Sequence, residues 1–81
     1  MREKILKIIE DICEDDIIYK DLDIDLFEND IFDSFDFVEL LVNIEDVLEI
    51  SISPSEVSRE DMATPNKIIA IVEARILKWK D

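Results

Sequence analysis

Apolar residues recur every three to four positions at the start of the chain, which is the spacing of an amphipathic helix. The stripe consists of Ile5, Leu6, Ile9, Ile12 and Cys13. This pattern predicts a first helix from about Arg2 to Asp16. Because Cys13 lies on the apolar stripe, we interpret it as a small buried hydrophobe and not as a reactive thiol.

The next segment, residues 17–33, has no helical spacing but is rich in large apolar side chains. These are Leu22, Ile24, Leu26, Phe27, Ile31 and Phe32. Such a composition predicts a long loop that packs on the core, and long loops of this kind in compact domains are commonly functional. The loop leads directly to Asp33 and Ser34.

A second helix is predicted from Ser34 to about Glu49, where the helical spacing returns. Asp33 stands at the N-cap position, and Asp36 follows three residues later, as in a capping box. With Asp33 as the cap, Ser34 would lie on the first turn with its hydroxyl free to carry a group. Taken alone, the Asp-Ser pair predicts no more than a helix start.

The second helix has two apolar faces when it is placed on a wheel at about 100° per residue. The larger face is predicted to contact the core and consists of Phe37, Leu40, Leu41, Ile44, Val47 and Leu48. The smaller face, which we call the outer strip, consists of Phe35, Val38 and Val42, surrounded by Glu39, Glu45, Asp46 and Glu49. Two interpretations of the outer strip remain open. Either the preceding loop packs on it, or it is a docking surface whose acids attract Arg or Lys of a partner protein.

The segment after the second helix carries a signal for a short helix. Residues 50–52 alternate between apolar and polar, which predicts an extended segment that is too short for a sheet. The residues from Ser53 to Glu56 then combine a cap, a proline and a glutamate. They predict a short third helix that continues irregularly to Met62.

Thr64 and Pro65 repeat the cap-and-proline signal and predict a final helix to about Lys78, with Trp79 near its end. Its core face consists of Ile68, Ile69, Val72 and Ile76. The expected fold is all-α, a small bundle of three main helices plus one short helix. Residues 1–81 are expected to form a single domain.

Composition agrees with a small folded domain. The chain has 81 residues, of which 48% are hydrophobic and 38% charged, so it can form a core. Its densest apolar stretch, from Val38 to Leu48, is interrupted by polar residues, so we predict no membrane insertion and no signal peptide. The single cysteine cannot form an internal disulfide, which agrees with an expected cytoplasmic location.

The charge and the missing residue types narrow the function. A formal net charge of −13, from 22 acids and 9 bases, repels nucleic acids and anionic membranes and attracts basic protein surfaces. We therefore expect protein partners and no nucleic acid. The chain has no histidine and no glycine, which excludes imidazole catalysis, a P-loop and a dinucleotide fingerprint. We therefore expect that the protein is not an enzyme.

The segment from Asp33 to Leu40 reads Asp-Ser-Phe-Asp-Phe-Val-Glu-Leu. It resembles the modification motif of the acyl carrier protein family, in which an Asp-Ser pair is followed by a Val-Glu-Leu helix. The chain length, the acidity, the long first loop and the bundle layout also resemble that family. The resemblance therefore covers almost the whole chain.

Within the family, the chain is most similar to D-alanyl carrier proteins, which carry Asp-Ser-Phe at this site. Further matches are Leu26, Phe27, Glu28, Glu56, Arg59, Thr64, Pro65, Asn66 and Ile68. The chain also departs from this subgroup. Asp30 and Ile31 stand where a glycine is common, and Asp36 and Phe37 replace Gly-Thr. Met62 stands where a tryptophan is expected.

The resemblance implies that Ser34 carries 4′-phosphopantetheine, transferred from coenzyme A by a separate phosphopantetheinyl transferase that Asp33 helps to position together with its metal. The arm's thiol would hold an acyl or aminoacyl cargo as a thioester. The similarity to D-alanyl carrier proteins implies that this cargo is D-alanine, for cell-wall teichoic acid modification. The implied partner-binding residues are Phe35, Asp36, Val38, Glu39, Val42 and Asp46. The chain itself would contain no catalytic or metal-binding residue.

The expected partners are the phosphopantetheinyl transferase, a cargo-activating adenylating ligase, and an acyl or D-alanyl transferase, and we expect a monomer. Three alternatives stay open. The chain could be a general acyl carrier protein for fatty acid, polyketide or nonribosomal peptide synthesis, or an unmodified acidic interaction module. The third is a calcium binder with Asp21, Asp23 and Asp25, although that loop lacks the glycine and glutamate of an EF-hand.

Overall fold

Helices dominate the fold in the computed structural model, which describes the backbone of residues 2–80 and the side chains of residues 2–76. The elements are α1 (Arg2–Cys13), α2 (Ile17–Lys20), α3 (Ser34–Leu48), a 3₁₀ helix (Glu60–Met62) and α4 (Pro65–Lys80). No strand occurs in the described backbone. The predicted all-α bundle with three long helices is confirmed.

The core lies where α1 packs against both α3 and α4. The residues that are completely buried at its centre are Ile5, Ile9, Leu40, Ile44, Ile68 and Val72. Among the described side chains, none that is buried is polar or charged. Burial of apolar surface is therefore the main source of stability.

The first helix ends earlier than predicted, at Cys13 and not at Asp16. Glu14 adopts a left-handed conformation, with φ of 56°, and donates its N–H to the Glu10 carbonyl at 2.7 Å. A left-handed residue directly after the last helical one terminates a helix. The Asp15 carboxylate then accepts the N–H of Ile17 at 3.0 Å, which starts the separate short helix α2.

Cys13 is half-buried and packs against the core, in agreement with its interpretation as a small hydrophobe. Its thiol donates to the Asp15 carbonyl over 3.4 Å. Burial raises the pKa of the Cys13 thiol above its ordinary value, which disfavours the reactive thiolate.

The long loop packs on the core as predicted, although it contains the unpredicted helix α2. Leu26 and Phe32 are buried, and both the Phe32 N–H and the Ala63 carbonyl bond to the backbone of Leu26, at 2.8 and 2.7 Å. A further backbone bond joins the Asn66 N–H to the Leu22 carbonyl at 3.0 Å. The loop is thereby fixed to the start of α4.

The prediction of a short helix starting at Ser53 is wrong. Ser53 and Glu56 form a reciprocal turn, in which the Ser53 N–H donates to Glu56 Oε2 at 2.8 Å and the Glu56 N–H donates to the Ser53 carbonyl at 2.9 Å. The helical turn occurs later, as the 3₁₀ helix, where Ser58 and Asp61 repeat the reciprocal pairing. Val57 is the only apolar residue between Ser53 and Asp61, so no apolar face stabilises a longer helix.

The final helix begins at Pro65 as predicted, and the Thr64 hydroxyl accepts the Lys67 N–H at 3.1 Å. It extends to Lys80, two residues beyond the predicted end, and the Trp79 side chain lies outside the described residues. Residues 50–52 lie outside any helix or strand, and the two isoleucines among them are buried. No described helix is both long and apolar enough to cross a lipid bilayer.

Candidate functional site

The start of α3 is held by a complete capping box. Asp33 has an extended conformation, and its Oδ1 accepts the N–H of Asp36 at 2.9 Å. In return, Asp36 Oδ2 accepts the N–H of Asp33 at 3.1 Å. The hydrogen bond from the Asp36 N–H lowers the pKa of the Asp33 carboxyl, so Asp33 is ionised at neutral pH.

Ser34 is the first residue of α3 and is exposed. Because Asp33 fills the cap position, the Ser34 hydroxyl makes no hydrogen bond to any described residue. It is an alcohol that an outside reagent can reach. The backbone N–H groups of the first helical turn also favour an attached phosphate at this end of α3.

The outer strip on α3 is exposed. Phe35 is 77% exposed, Val38 48% and Val42 51%. Together with Glu39 they line an open groove of about 350 Å³. The preceding loop therefore does not cover the outer strip, and the interpretation that the loop packs on it is wrong.

The acidic residues around the outer strip differ in their position relative to the groove. Glu39 lines the groove, whereas Asp46 is exposed beyond it and Asp36 is engaged in the capping box. The sequence of α3 contains no basic residue. A partner that approaches this helix therefore meets a uniformly negative surface around an apolar groove.

Val47 was predicted to face the core, and this is wrong, because it is 54% exposed. It lies at the margin of the apolar arc on the helical wheel, about 60° from the centre of that face. Opposite it, α1 presents Lys4 and Lys7 beside Ile8, and these residues line a second open groove with Val47. Long polar side chains of α1 do not close over the valine.

Phe27 holds the loop against the first turn of α3. Its ring makes edge contacts with the rings of Phe32 and Phe37, each at a centroid distance of 6.1 Å. The Arg59 guanidinium lies 5.7 Å from the centroid of the Phe27 ring. The sequence predicted that Phe27, Phe32 and Phe37 pack on the core, but it did not predict that they contact one another.

The backbone conformation of Asp30 explains how this chain can lack the glycine that is common here in the D-alanyl carrier subgroup. It adopts φ of 56°, the left-handed region in which glycine has no steric penalty. The backbone therefore has at this position the conformation that a glycine would allow. Aspartate is one of the few other residues that adopt it readily.

The three aspartates considered for calcium each accept a hydrogen bond from another residue. Asp21 accepts the N–H of Asp23 at 3.0 Å, and Asp25 accepts that of Phe27 at the same distance. The Asp23 carboxylate accepts the side-chain amide of Asn66 at 2.8 Å. Nowhere in the described part of the chain do three or more metal-ligating side chains converge.

Comparison with known proteins identifies the family. Residues 3–72 match the model of the family described as the phosphopantetheine attachment site. The chain belongs to this family. It is 40% identical over 76 residues to a D-alanyl carrier protein of Abiotrophia defectiva, covering 94% of this chain and 96% of the relative.

Two further D-alanyl carrier proteins have a similar relation to the chain. The protein from Bacillus mycoides (strain KBAB4) is 46% identical over 72 residues, or 89% of this chain and 91% of the relative. That from Bacillus cereus (strain B4264) is 44% identical over the same shares of both chains. The predicted resemblance to acyl carrier proteins, and to the D-alanyl carrier subgroup, is confirmed.

Membership of this family means that the protein is a carrier that holds 4′-phosphopantetheine covalently on a serine. The start of α3 fits that group, because it combines an exposed hydroxyl without an internal partner and a helix terminus that favours a phosphate. Carrier proteins of this family are not themselves catalysts. The prosthetic group supplies the chemistry that the side chains lack.

Proposed function

We propose that this protein carries D-alanine as a thioester on a 4′-phosphopantetheine arm attached to Ser34, for the modification of cell-wall teichoic acid. The observation that supports attachment at Ser34 is its exposed hydroxyl, which the capping box around Asp33 leaves without an internal hydrogen bond. The similarity to D-alanyl carrier proteins supports the cargo. In the attachment step the Ser34 oxygen forms a bond to the pantetheine-side phosphorus of coenzyme A, the pyrophosphate bond breaks with adenosine 3′,5′-bisphosphate as the leaving group, and the serine proton passes to the transferase.

Asp33 is proposed to face the phosphopantetheinyl transferase and to help position its metal. Its lowered pKa keeps a negative charge next to the attachment hydroxyl. The cap uses one carboxylate oxygen for the Asp36 N–H. A carboxylate has several acceptor sites, so the cap and a metal contact are compatible.

The partner-binding surface is proposed to be the outer strip together with Glu39, with Asp36 and Asp46 at its borders. Apolar contact area and a negative border suit a partner with a basic, partly apolar surface. The proposed partners are the transferase, an adenylating ligase that loads D-alanine, and a D-alanyl transferase that removes it. We propose that the protein acts in the cytoplasm, as a monomer of one domain.

The attachment is tested by mass spectrometry after incubation with coenzyme A and a broad-specificity phosphopantetheinyl transferase. We expect a gain of one phosphopantetheine, which Ser34→Ala abolishes. Ser51→Ala is the matched control, because Ser51 is also an exposed serine but lies outside the helices. No gain of mass, or a gain that survives Ser34→Ala, would contradict the proposal.

The cargo is tested by offering the modified protein to two activating enzymes. A D-alanine-activating ligase with ATP should form an aminoacyl thioester that hydroxylamine releases. An enzyme that activates fatty acids should load the protein much more slowly. The reverse preference would favour a general acyl carrier protein.

A further inference from the structure

The groove along the outer strip begins in the first turn of α3, where Phe35, its first lining residue, directly follows Ser34. Val38 follows Ser34 by four residues on α3, so it lies one turn further along the same side of the helix. Val42 lies one turn beyond Val38, and both valines line the groove with Phe35. From Ser34 to Val42 the helix rises by about 12 Å, at 1.5 Å per residue.

The phosphopantetheine arm suits this groove in length. Its main chain beyond the phosphorus has roughly as many atoms as four residues of extended peptide, which span about 14 Å. An arm that starts at Ser34 and follows α3 therefore reaches Val42. No bend in the helix is required.

The arm also suits the groove in chemistry. Its two geminal methyl groups lie near the phosphate end, at the level of Val38, and the ethylene unit that bears the thiol lies at the far end, at the level of Val42. The part beyond the phosphate is uncharged, so the surrounding acids do not repel it. Because the groove is open, the two amides of the arm keep contact with water.

We propose that the outer strip binds the protein's own phosphopantetheine arm between encounters, and that a partner enzyme must displace the arm when it docks. The bound arm would cover apolar side chains that are now about half or more exposed, namely Phe35, Val38 and Val42. This inference rests on the proposed attachment at Ser34. It makes the outer strip a site shared in turn by the arm and by the partner.

The experiment compares the valine methyl resonances of the unmodified and the modified protein by NMR, after mass spectrometry has shown one arm per chain. The Val38 and Val42 methyls should shift, and Val38 should show nuclear Overhauser contacts to the geminal methyls of the arm. Val47 is the internal control, because it is 54% exposed on the same helix but lines the other groove. Its methyls should stay unchanged.

Two variants match each other closely. Val42→Asp should lower the bound-to-free ratio of the arm by at least about fourfold, the factor for the loss of a single buried methyl or methylene group, and the Overhauser contacts at Val38 should weaken accordingly. Val47→Asp adds the same charge to the same helix and should leave these contacts unchanged. A modified protein in which Val38 and Val42 behave as Val47 does would overturn this inference alone. A chain that accepts no arm at Ser34 would overturn the proposed function as well.

Discussion

At the scale of single residues, Asp33 caps helix α3 and thereby leaves the Ser34 hydroxyl without an internal hydrogen bond. In many helices the serine itself is the cap, and its hydroxyl is then engaged with the backbone. Here the carboxylate of Asp33 accepts the Asp36 N–H, and the serine follows it on the first turn. Two neighbouring residues thus divide the work, with the cap at Asp33 and the proposed attachment at Ser34.

The Asp33 cap predicts a dependence of stability on pH. The pKa of Asp33 is lower in the folded protein than its ordinary value of 3.8, so ionised Asp33 stabilises the fold above that value. The stabilisation is lost as the pH falls through the folded pKa, which lies below 3.8. Asp33→Asn should therefore lose less thermal stability than the wild type as the pH falls from about 5 through the folded pKa of Asp33. Circular dichroism melting curves measure this.

Asp46→Asn is the control for the general effect of removing one negative charge from α3, because Asp46 is exposed on the same helix. It should keep the pH slope of the wild type. If Asp33→Asn and Asp46→Asn show the same slope, the cap is not the cause. The prediction would then be wrong.

Phe35 and Glu39 are expected to act in partner binding and not in folding. Phe35→Ala or Glu39→Lys should lower kcat/KM with the adenylating ligase about tenfold, because exposed aromatic anchors and complementary charges contribute on the order of 1 kcal/mol or more each. The melting temperature should change little, since Phe35 is 77% exposed. Steady-state loading assays and melting curves give both values.

Val47→Ala is a suitable comparison for these two variants. It also shortens an exposed apolar side chain of α3, but in the groove next to α1. Its turnover should equal that of the wild type. Equal turnover by Phe35→Ala and Glu39→Lys would instead place the docking surface elsewhere.

The relation of the long loop to α3 depends on an aromatic contact between them. Phe27 in the loop packs on Phe37 in α3, and Arg59 covers its ring. Phe27→Ala should destabilise the protein by about 2 kcal/mol, less than a completely buried phenylalanine, because Phe27 is only half-buried. Urea unfolding measures the loss. Phe35→Ala removes the same side chain from an exposed position and should cost less than about 0.5 kcal/mol.

The starts of α3 and α4 could be predicted because two independent signals agree at each of them, whereas α1 was predicted from its apolar spacing alone. For α3 and α4, the apolar spacing and the cap residues indicate the same start, at Ser34 and Pro65. The end of α1 could not be predicted, because Glu14 and not a glycine adopts the left-handed conformation. The turn at Ser53 shows the converse, since cap residues without an apolar face do not produce a helix.

The site could be predicted further than its surroundings. The wheel placed Phe35, Val38 and Val42 on a face away from the core, but only the structure shows that the preceding loop leaves that face exposed. Val47 was assigned wrongly because an assignment from one helix ignores the partner helix, which here presents lysines. The Phe27 cluster joins three segments distant in sequence, and no local pattern specifies such a contact.

At the scale of the whole molecule, the negative charge and the lack of glycine both reduce the stability of the fold. The net charge of −13 favours encounters with basic surfaces but also causes self-repulsion. The chain contains no glycine, yet its backbone is left-handed at Glu14, Asp30 and Glu49. In each case an acidic residue adopts the strained conformation.

Glu14→Gly should therefore stabilise the protein by about 0.5 to 1 kcal/mol, because glycine removes the steric cost of positive φ but adds some chain entropy to the unfolded state. Glu14→Ala removes the same charge while keeping the side-chain clash, and it should give no comparable gain. Chemical unfolding of the two variants distinguishes relief of strain from relief of repulsion. Equal gains would assign the effect to charge.

The left-handed backbone conformations of Glu14 and Asp30 indicate where substitutions could increase the thermal stability of this protein. Both lie outside the outer strip, and Glu14 also lies 20 residues before Ser34, so a stabilising substitution at Glu14 should leave loading and partner binding unaltered. The natural chain is thus less stable than its fold would allow, because acidic residues occupy turns that favour glycine.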